Sequence, residues 1–174
     1  MGTSNGSQAV TDQDRVFLRR CVDLAREALE DGDEPFGSLL VDARGAVRFE
    51  DRNRVKGGDN TRHPEFEIAR WAAAHLTPEE RRTSVVYTSG EHCPMCSAAH
   101  AWVGLGRIVY ASSSEQLTAW LKAWGVEAGP VAPLPITTVA PHLPVAGPDF
   151  SFEAEIRSLQ AALRGVEEPG GSRS

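Results

Sequence analysis

Two cysteines three residues apart, in Glu91-His92-Cys93-Pro94-Met95-Cys96, and a histidine two residues before a glutamate, in His63-Pro64-Glu65, are the side chains here best suited to chemistry. At a helix start, positions three apart lie on one face, so both thiolates can reach one ion at about 2.3 Å. The partial positive charge of a helix N-terminus favours the thiolate form. Two thiolates do not complete a zinc site, and the chain has no second Cys-x-x-Cys. A structural ribbon is therefore disfavoured, and the remaining ligands must be histidine, carboxylate or water. His63 is the leading third ligand, because it too precedes a helix and Pro64 fixes the turn. The fourth position is then open, as in a catalytic zinc site that lowers the pKa of a bound water to about 7. Glu65, kept off the metal, is placed to take that water's proton and pass it on. A histidine and two cysteines on zinc beside a glutamate general acid/base is the set that performs hydrolytic deamination. The same donors suit iron as well as zinc.

Elements must bring these two short motifs together. Apolar periodicity predicts a helix over 12–31, with Thr11 as N-cap, Asp14 in its first turn and Gly32 and Pro35 as stops. Two strand-like runs around Asp42-Ala43-Arg44-Gly45 predict a hairpin. Pro64 suits the first turn of a helix buried through Phe66, Ile68, Ala69, Ala72 and Ala73 and ended at Thr77-Pro78. A strand over 83–88 leads through a short loop to Cys93 and a second buried helix, ended by Gly104 and Gly106. Then follow a strand "RIVYA", a helix over 115–124, a fifth strand "PITTV" over 135–139 and a last helix over 149–163. Strands alternating with helices need crossovers and covered sheet faces, which predicts an α/β fold, a mixed sheet between helices. No repeat or long linker divides the chain, so 12–163 reads as one domain between flexible tails, 1–11 and 164–174.

Composition bounds the partners. The 174 residues carry a formal charge of −6, and no Lys/Arg cluster is longer than Arg19-Arg20 or Arg81-Arg82. Nucleic-acid phosphates are poorly matched to such a surface, and a small neutral substrate fits it better. The first ten residues lack the basic start and apolar centre of a signal peptide, and no apolar run reaches the roughly 18 residues of a membrane helix. The expectation is a cytoplasmic protein with no membrane contact. Three cysteines in a reducing compartment argue for metal or catalysis at the close pair, while Cys21, on one face with Phe17, Leu24 and Ala28, reads as core.

The residues "HPE" at 63–65, "YTSGEHCPMC" at 87–96 and the following "GRIVYA" resemble the cytidine deaminase-like superfamily of zinc deaminases, in its guanine deaminase and tRNA adenosine deaminase branch. Upstream, "EPFGSLLVD" resembles that branch's first strand, and "RNRV" places Asn53 where those enzymes use an asparagine on the substrate. The likeness covers roughly residues 12–125. It implies a three-layer fold with a five-stranded mixed sheet, zinc between two helix N-termini and a homodimer. Two positions depart from the pattern. Pro64 stands where alanine is usual, and His92 replaces the proline before the first cysteine.

His92 has three readings: a tolerated loop residue, a substrate or ligand-supporting contact, or a metal ligand in place of His63. Glu91 either holds an exocyclic amine or caps a helix. His100 reads as buried packing beside the metal, His75 as a surface residue at a helix end and His142 as a loop residue. Trp71 and Trp102 read as core, and Trp120 and Trp124 as pocket or dimer surface. Phe150 and Phe152 read as core by default, with closure over a flat base as the other possibility. The reaction implied is zinc-dependent deamination of a nucleobase or nucleoside, guanine-type purine first. Cytosine, cytidine, a pterin or an aminotriazine would fit the same machinery, as would a tRNA adenosine. A zinc-stabilised binding module without chemistry is the reading from another class.

Overall fold

The computed structural model describes residues 9–168. The expectations for the outermost tail residues, 1–8 and 169–174, lie outside that range. In chain order the elements are α1 (Asp12–Glu30), β1 (Gly37–Val41), β2 (Val47–Arg52), α2 (Pro64–His75), α3 (Pro78–Thr83), β3 (Val85–Gly90) and α4 (Pro94–Val103). They continue with β4 (Arg107–Ser112), α5 (Ser114–Ala123), α6 (Ile136–Val139), β5 (Val145–Ala146) and α7 (Glu153–Leu163).

The strands form one sheet in the order β2-β1-β3-β4-β5, antiparallel from β2 to β3 and parallel from β3 to β5. Its hairpin turns as expected: Asp42 Oδ1 accepts the N–H groups of Arg44 and Ala46, and Gly45 takes φ +83°. The five-stranded mixed sheet expected for the α/β fold is present. Strand alternation divides the core into two layers. Leu39, Val41, Tyr87, Val109 and Ala111 pack with Leu18, Cys21 and Val22 of α1 and Ile156 and Leu159 of α7. Leu40 and Val86, on the opposite face, pack with Ile68, Ala69 and Ala72 of α2 and with Leu105. Gly37 allows α1 to lie tight on β1, since a Cβ there would sit 2.4 Å from Leu24 Cβ and 2.5 Å from the Cys21 carbonyl.

Thr11 caps α1 reciprocally with Asp14. Asp14 also reaches inward: its Oδ1 accepts from the Tyr87 hydroxyl at 2.9 Å, and its carboxylate pairs with Arg107 at 3.0 Å. Burial alone would raise the Asp14 pKa, but the Thr11 N–H, Arg107 and Tyr87 together hold it below the ordinary carboxylate range.

Two expected elements differ. "PITTV" forms the short helix α6, and the fifth strand is Val145–Ala146, paired with Ile108 and Val109. Pro135 as N-cap sets the helical start, which outweighs the β-branched composition. Thr77-Pro78, read as a helix stop, also starts α3, because Thr77 and Glu80 make a capping box around Pro78. Beyond α7, Gly165 at φ +64° and Val166 N–H on the Ala161 carbonyl close a Schellman turn. Glu168, read as part of a solvated tail, accepts from Trp124 Nε1 at 2.8 Å and pairs with Arg157 at 2.7 Å. Among the described residues, no helix is long and apolar enough to cross a membrane.

Candidate active site

His63 and Cys93 are each the N-cap of a helix whose first residue is proline, α2 and α4 respectively. Proline at that position lacks a donor the helix could not have used, and its fixed φ aims the N-cap side chain. The two helices pack against each other on one face of the sheet. Both N-termini, with their partial positive charge, therefore point at one place. Cys96, three residues into α4, joins them there.

His63 Nδ1 lies 3.5 Å from Cys93 Sγ and 3.6 Å from Cys96 Sγ, and all three donor atoms are within 4.8 Å of one another. A tetrahedral zinc with Zn–S near 2.3 Å and Zn–N near 2.05 Å has an S···N edge of about 3.6 Å. The three residues thus fit zinc in both donor type and spacing, with one tetrahedral position left over. The Cys96 thiol bonds Cys93 and, with His63, holds its sulfur down to about 4 against burial. The hydrogen bond His63 Nδ1 donates to Cys93 raises His63 to about 9, while Cys96 is pushed up by its own contact with Cys93 and by burial. The triad thus favours a thiolate at Cys93 facing an imidazolium at His63.

Glu65 sits one residue into α2 and is 5% exposed. Its Oε1 is 2.8 Å from Thr88 Oγ1, which is also 2.8 Å from Ser38 Oγ and 2.9 Å from the Gly90 carbonyl. Register sets this chain up, because Ser38 pairs with Thr88 across β1 and β3 and both face α2. Thr88 has one hydroxyl proton for two acceptors, Glu65 and Gly90. Burial pushes the Glu65 carboxyl up, with His63 opposing. A protonated Glu65 donates to Thr88, whose own proton then goes to Gly90. An ionised Glu65 accepts from Thr88 instead. The network accommodates either state by turning one hydroxyl.

His63, Glu65 and Cys93 line the inner end of a cavity of about 680 Å³. Glu91 also lines it, and its Oε2 and Oε1 accept the N–H groups of Ser114 at 2.8 Å and Ile136 at 2.9 Å. It therefore caps α5 and α6 while retaining lone pairs toward the cavity. Phe36 adds an aromatic wall, with its ring against Gly90, where a Cβ would lie only 3.0 Å away.

Asn53 and His92 are buried and are not among the cavity-lining residues. Asn53 Oδ1 accepts from Val55 N–H, and its Nδ2 lies 3.5 Å from Glu34 Oε2. His92 packs edge-on against His100, with ring centroids 5.4 Å apart, and its Nδ1 has no protein partner. His100 is buried packing, its Nε2 2.7 Å from the Gly106 carbonyl. His75 is exposed and stacks on Trp71, and His142 is exposed in a loop.

Trp120 is core, and Trp124 packs partly buried beside it. Trp71 is half-buried between Phe49 and His75. Trp102 corrects the core expectation: it is 90% exposed, because α4 buries Cys96, Ser97 and His100 and turns Trp102 outward. Phe152 is core, while Phe150 lies open against a separate cavity.

Sequence reasoning did not single out Ser38, Thr88 and Phe36 at the site, or the α5 wall. The signal for the wall was present, since Leu117 and Leu121 repeat at i, i+4 within the segment predicted as a helix.

Comparison with known proteins followed the same residues. Residues 11–112 match the family described as the cytidine and deoxycytidylate deaminase zinc-binding region. A probable cytosine deaminase of Schizosaccharomyces pombe is 34% identical over 114 residues, covering 64% of this chain and 67% of that protein. A guanine deaminase of Bacillus subtilis is 37% identical over 99 residues, covering 56% of this chain and 63% of that protein. The chain thus spans about two thirds of the length of these relatives. In fold it is similar to a guanine deaminase from Nitrosomonas europaea, with TM-score 0.66 over 92% of this chain and 89% of that one at 19% identity.

Proposed function

We propose, for a chain that belongs to the cytidine and deoxycytidylate deaminase zinc-binding family, hydrolytic removal of an exocyclic amine from a nucleobase or nucleoside, with a guanine-type purine as the first candidate. The bond from the ring carbon to the exocyclic nitrogen breaks, a carbonyl forms with the oxygen of water, and ammonia leaves. One observation carries the reading: a buried carboxyl on a two-state hydrogen-bond network stands beside a zinc-spaced triad at the floor of an open cavity. A purely structural metal site has no use for such a carboxyl.

His63, Cys93 and Cys96 would hold the ion. The chemistry that zinc supplies at such a set is acidification of water at neutral pH. Glu65 accepts the proton that the attacking water loses, on a carboxylate oxygen, and delivers it to a ring nitrogen; it then takes the remaining hydroxyl proton as the carbonyl forms and delivers that one to the departing amine. Thr88 turns its hydroxyl to match each state of Glu65. Glu91, fixed by Ser114 and Ile136, offers its remaining lone pairs to an N–H of the base. Phe36 gives the base a flat surface to lie against. Asn53 is assigned to the substrate edge on the resemblance, and His92 to supporting the Cys93 turn from behind.

The cavity supports a bicyclic base over a single ring by its size, and the guanine deaminase of Bacillus subtilis supports the same preference. The relatives also include a probable cytosine deaminase, so cytosine and cytidine belong in the test. The cytoplasm, which keeps Cys93 and Cys96 reduced, suits a thiolate site. A homodimer is part of the same reading, supported by the outward Trp102 on α4, and sedimentation equilibrium reads it directly.

The test is ammonia release from guanine, guanosine, deoxyguanosine, adenosine, cytosine, cytidine, a pterin and aminotriazines by protein of measured zinc content. Turnover of a purine and not of cytosine is the expected result. Silence across the panel with one zinc per chain would overturn it.

A further inference from the structure

The cavity is longer than the reaction requires. Glu91 fixes the first N–H of α5 beside the triad, and the helix runs away from there with Ser114, Leu117, Thr118, Leu121 and Lys122 on the cavity side. These positions fall on one helical face and span about 12 Å at 1.5 Å per residue.

The distal wall differs in chemistry from the inner end. It is built from Leu117, Leu121, Val126, Val131, Ala132 and Pro133. Val126 is 37% and Val131 58% exposed, so apolar surface stands uncovered within the same cavity. Lys122 is the one lysine or arginine among the lining residues, against the carboxylates of Glu65, Glu91 and Glu127. At the distal end Lys122 and Glu127 offset each other, which leaves a phosphate no net cationic partner, and a ribose would leave its hydroxyls facing aliphatic carbon.

We propose that the substrate carries an apolar substituent on the side of its ring away from the reacting amine, seated against Leu117 and Leu121 beneath the 125–133 segment. The proposal rests on the deaminase reading only in deciding which end of the cavity holds the amine. Its chemical class is an aminated heterocycle bearing an alkyl or aryl group, uncharged and without a sugar phosphate. The continuity of the wall with the triad, the direction of α5 and the sign of the lining charges argue for substrate over a second protein surface.

Two readouts separate this proposal from the reading beneath it. Titration calorimetry on zinc-loaded, full-length Glu65→Gln protein measures affinity without turnover for 9-methyl-, 9-butyl- and 9-benzylguanine, guanosine and guanosine monophosphate, and for the 1-alkylcytosines and cytidine. Affinity is expected to rise about fourfold per methylene from methyl to butyl, the transfer value of one CH₂. The ribosyl and phosphorylated compounds are expected to bind more weakly than butyl, and Leu121→Asp is expected to abolish the rise.

A flat series, no binding by any member, or tighter binding of guanosine and cytidine than of the butyl compounds overturns the proposal. So does a flat series in which Leu121→Asp changes the sedimentation coefficient, which would assign the wall to a second copy of the chain. Ammonia release by the wild type is scored apart. Release with a flat series leaves deamination standing alone, and a rising series without release leaves the apolar wall standing alone.

Discussion

Thr88→Val tests whether the network beneath Glu65 matters to the chemistry. The substitution is nearly isosteric and removes one hydroxyl, the group within 2.8 Å of Glu65 Oε1, 2.8 Å of Ser38 Oγ and 2.9 Å of the Gly90 carbonyl. A hydrogen bond to a charged group contributes about 1.5–3 kcal/mol. If all of it orients Glu65 in the transition state, kcat falls by roughly 10- to 150-fold, each 1.4 kcal/mol being tenfold. Ser38 Oγ and the Gly90 carbonyl are also left without this partner in a buried place, so unfolding free energy falls by about 1–3 kcal/mol. Zinc content stays at the wild-type value, because no ligand is touched. The assay is steady-state ammonia release with zinc quantified, beside denaturant unfolding, and with Thr88→Ser as the variant that restores the hydroxyl. A folded, zinc-loaded Thr88→Val protein with wild-type kcat would refute the orienting role. So would a Thr88→Ser protein as impaired as Thr88→Val.

Glu65→Gln keeps shape and zinc and is expected to lose roughly 10²–10⁴-fold in kcat, the span supplied by a general acid/base; unchanged turnover at full zinc content would end the proposed mechanism. Cys93→Ser and Cys96→Ser are each expected to lose most bound zinc, and chelation to lower Tm, since zinc at one hundred times Kd adds about 2.7 kcal/mol to stability; a Tm indifferent to chelator would contradict a site that fits zinc. Metal must displace the His63 proton, whose pKa is raised to about 9 chiefly by Cys93. Apparent zinc affinity should therefore climb with pH between 6 and 9, read by calorimetry in buffers of different ionisation heat, and no proton release at pH 7 would count against it. Asp14→Asn removes a carboxylate whose folded pKa is depressed, so the stability it confers is present above the unfolded value near 4 and is lost as pH falls below it. The variant should be about 1.5–3 kcal/mol less stable at pH 7, with the difference shrinking toward pH 3.

The chemistry was legible before the fold because its signals are local. His63-Pro64-Glu65 and Cys93-Pro94-Met95-Cys96 each carry a helix start and its ligands within four residues, and the start is what aims them. Periodicity likewise found α1, the hairpin, α2, α4 and β4. What it lost depends on neighbours. The segment 135–139 has strand composition yet forms α6, because a proline N-cap and the Glu91 carboxylate on the Ile136 N–H favour a helical start. Trp102 was assigned to the core by its apolar context, but which face of α4 meets α2 is a tertiary fact. Thr88 was invisible for a similar reason, since its role comes from its register with Ser38 on another strand. Glu91, read as amine holder or cap, accepts the first N–H of both α5 and α6 and lines the cavity.

The two hydrogen bonds Glu91 accepts, from the Ser114 and Ile136 N–H groups, have a consequence beyond capping. One carboxylate, two residues from Cys93, pins both ends of the stretch that carries α5 and the distal wall. Between the pins, residues 125–133 contribute no strand to the sheet and no atom to the triad. The proposed reaction centre and the proposed apolar wall thus lie on different stretches of chain, with Glu91 touching both and Leu117, Trp120 and Trp124 tying α5 to the core.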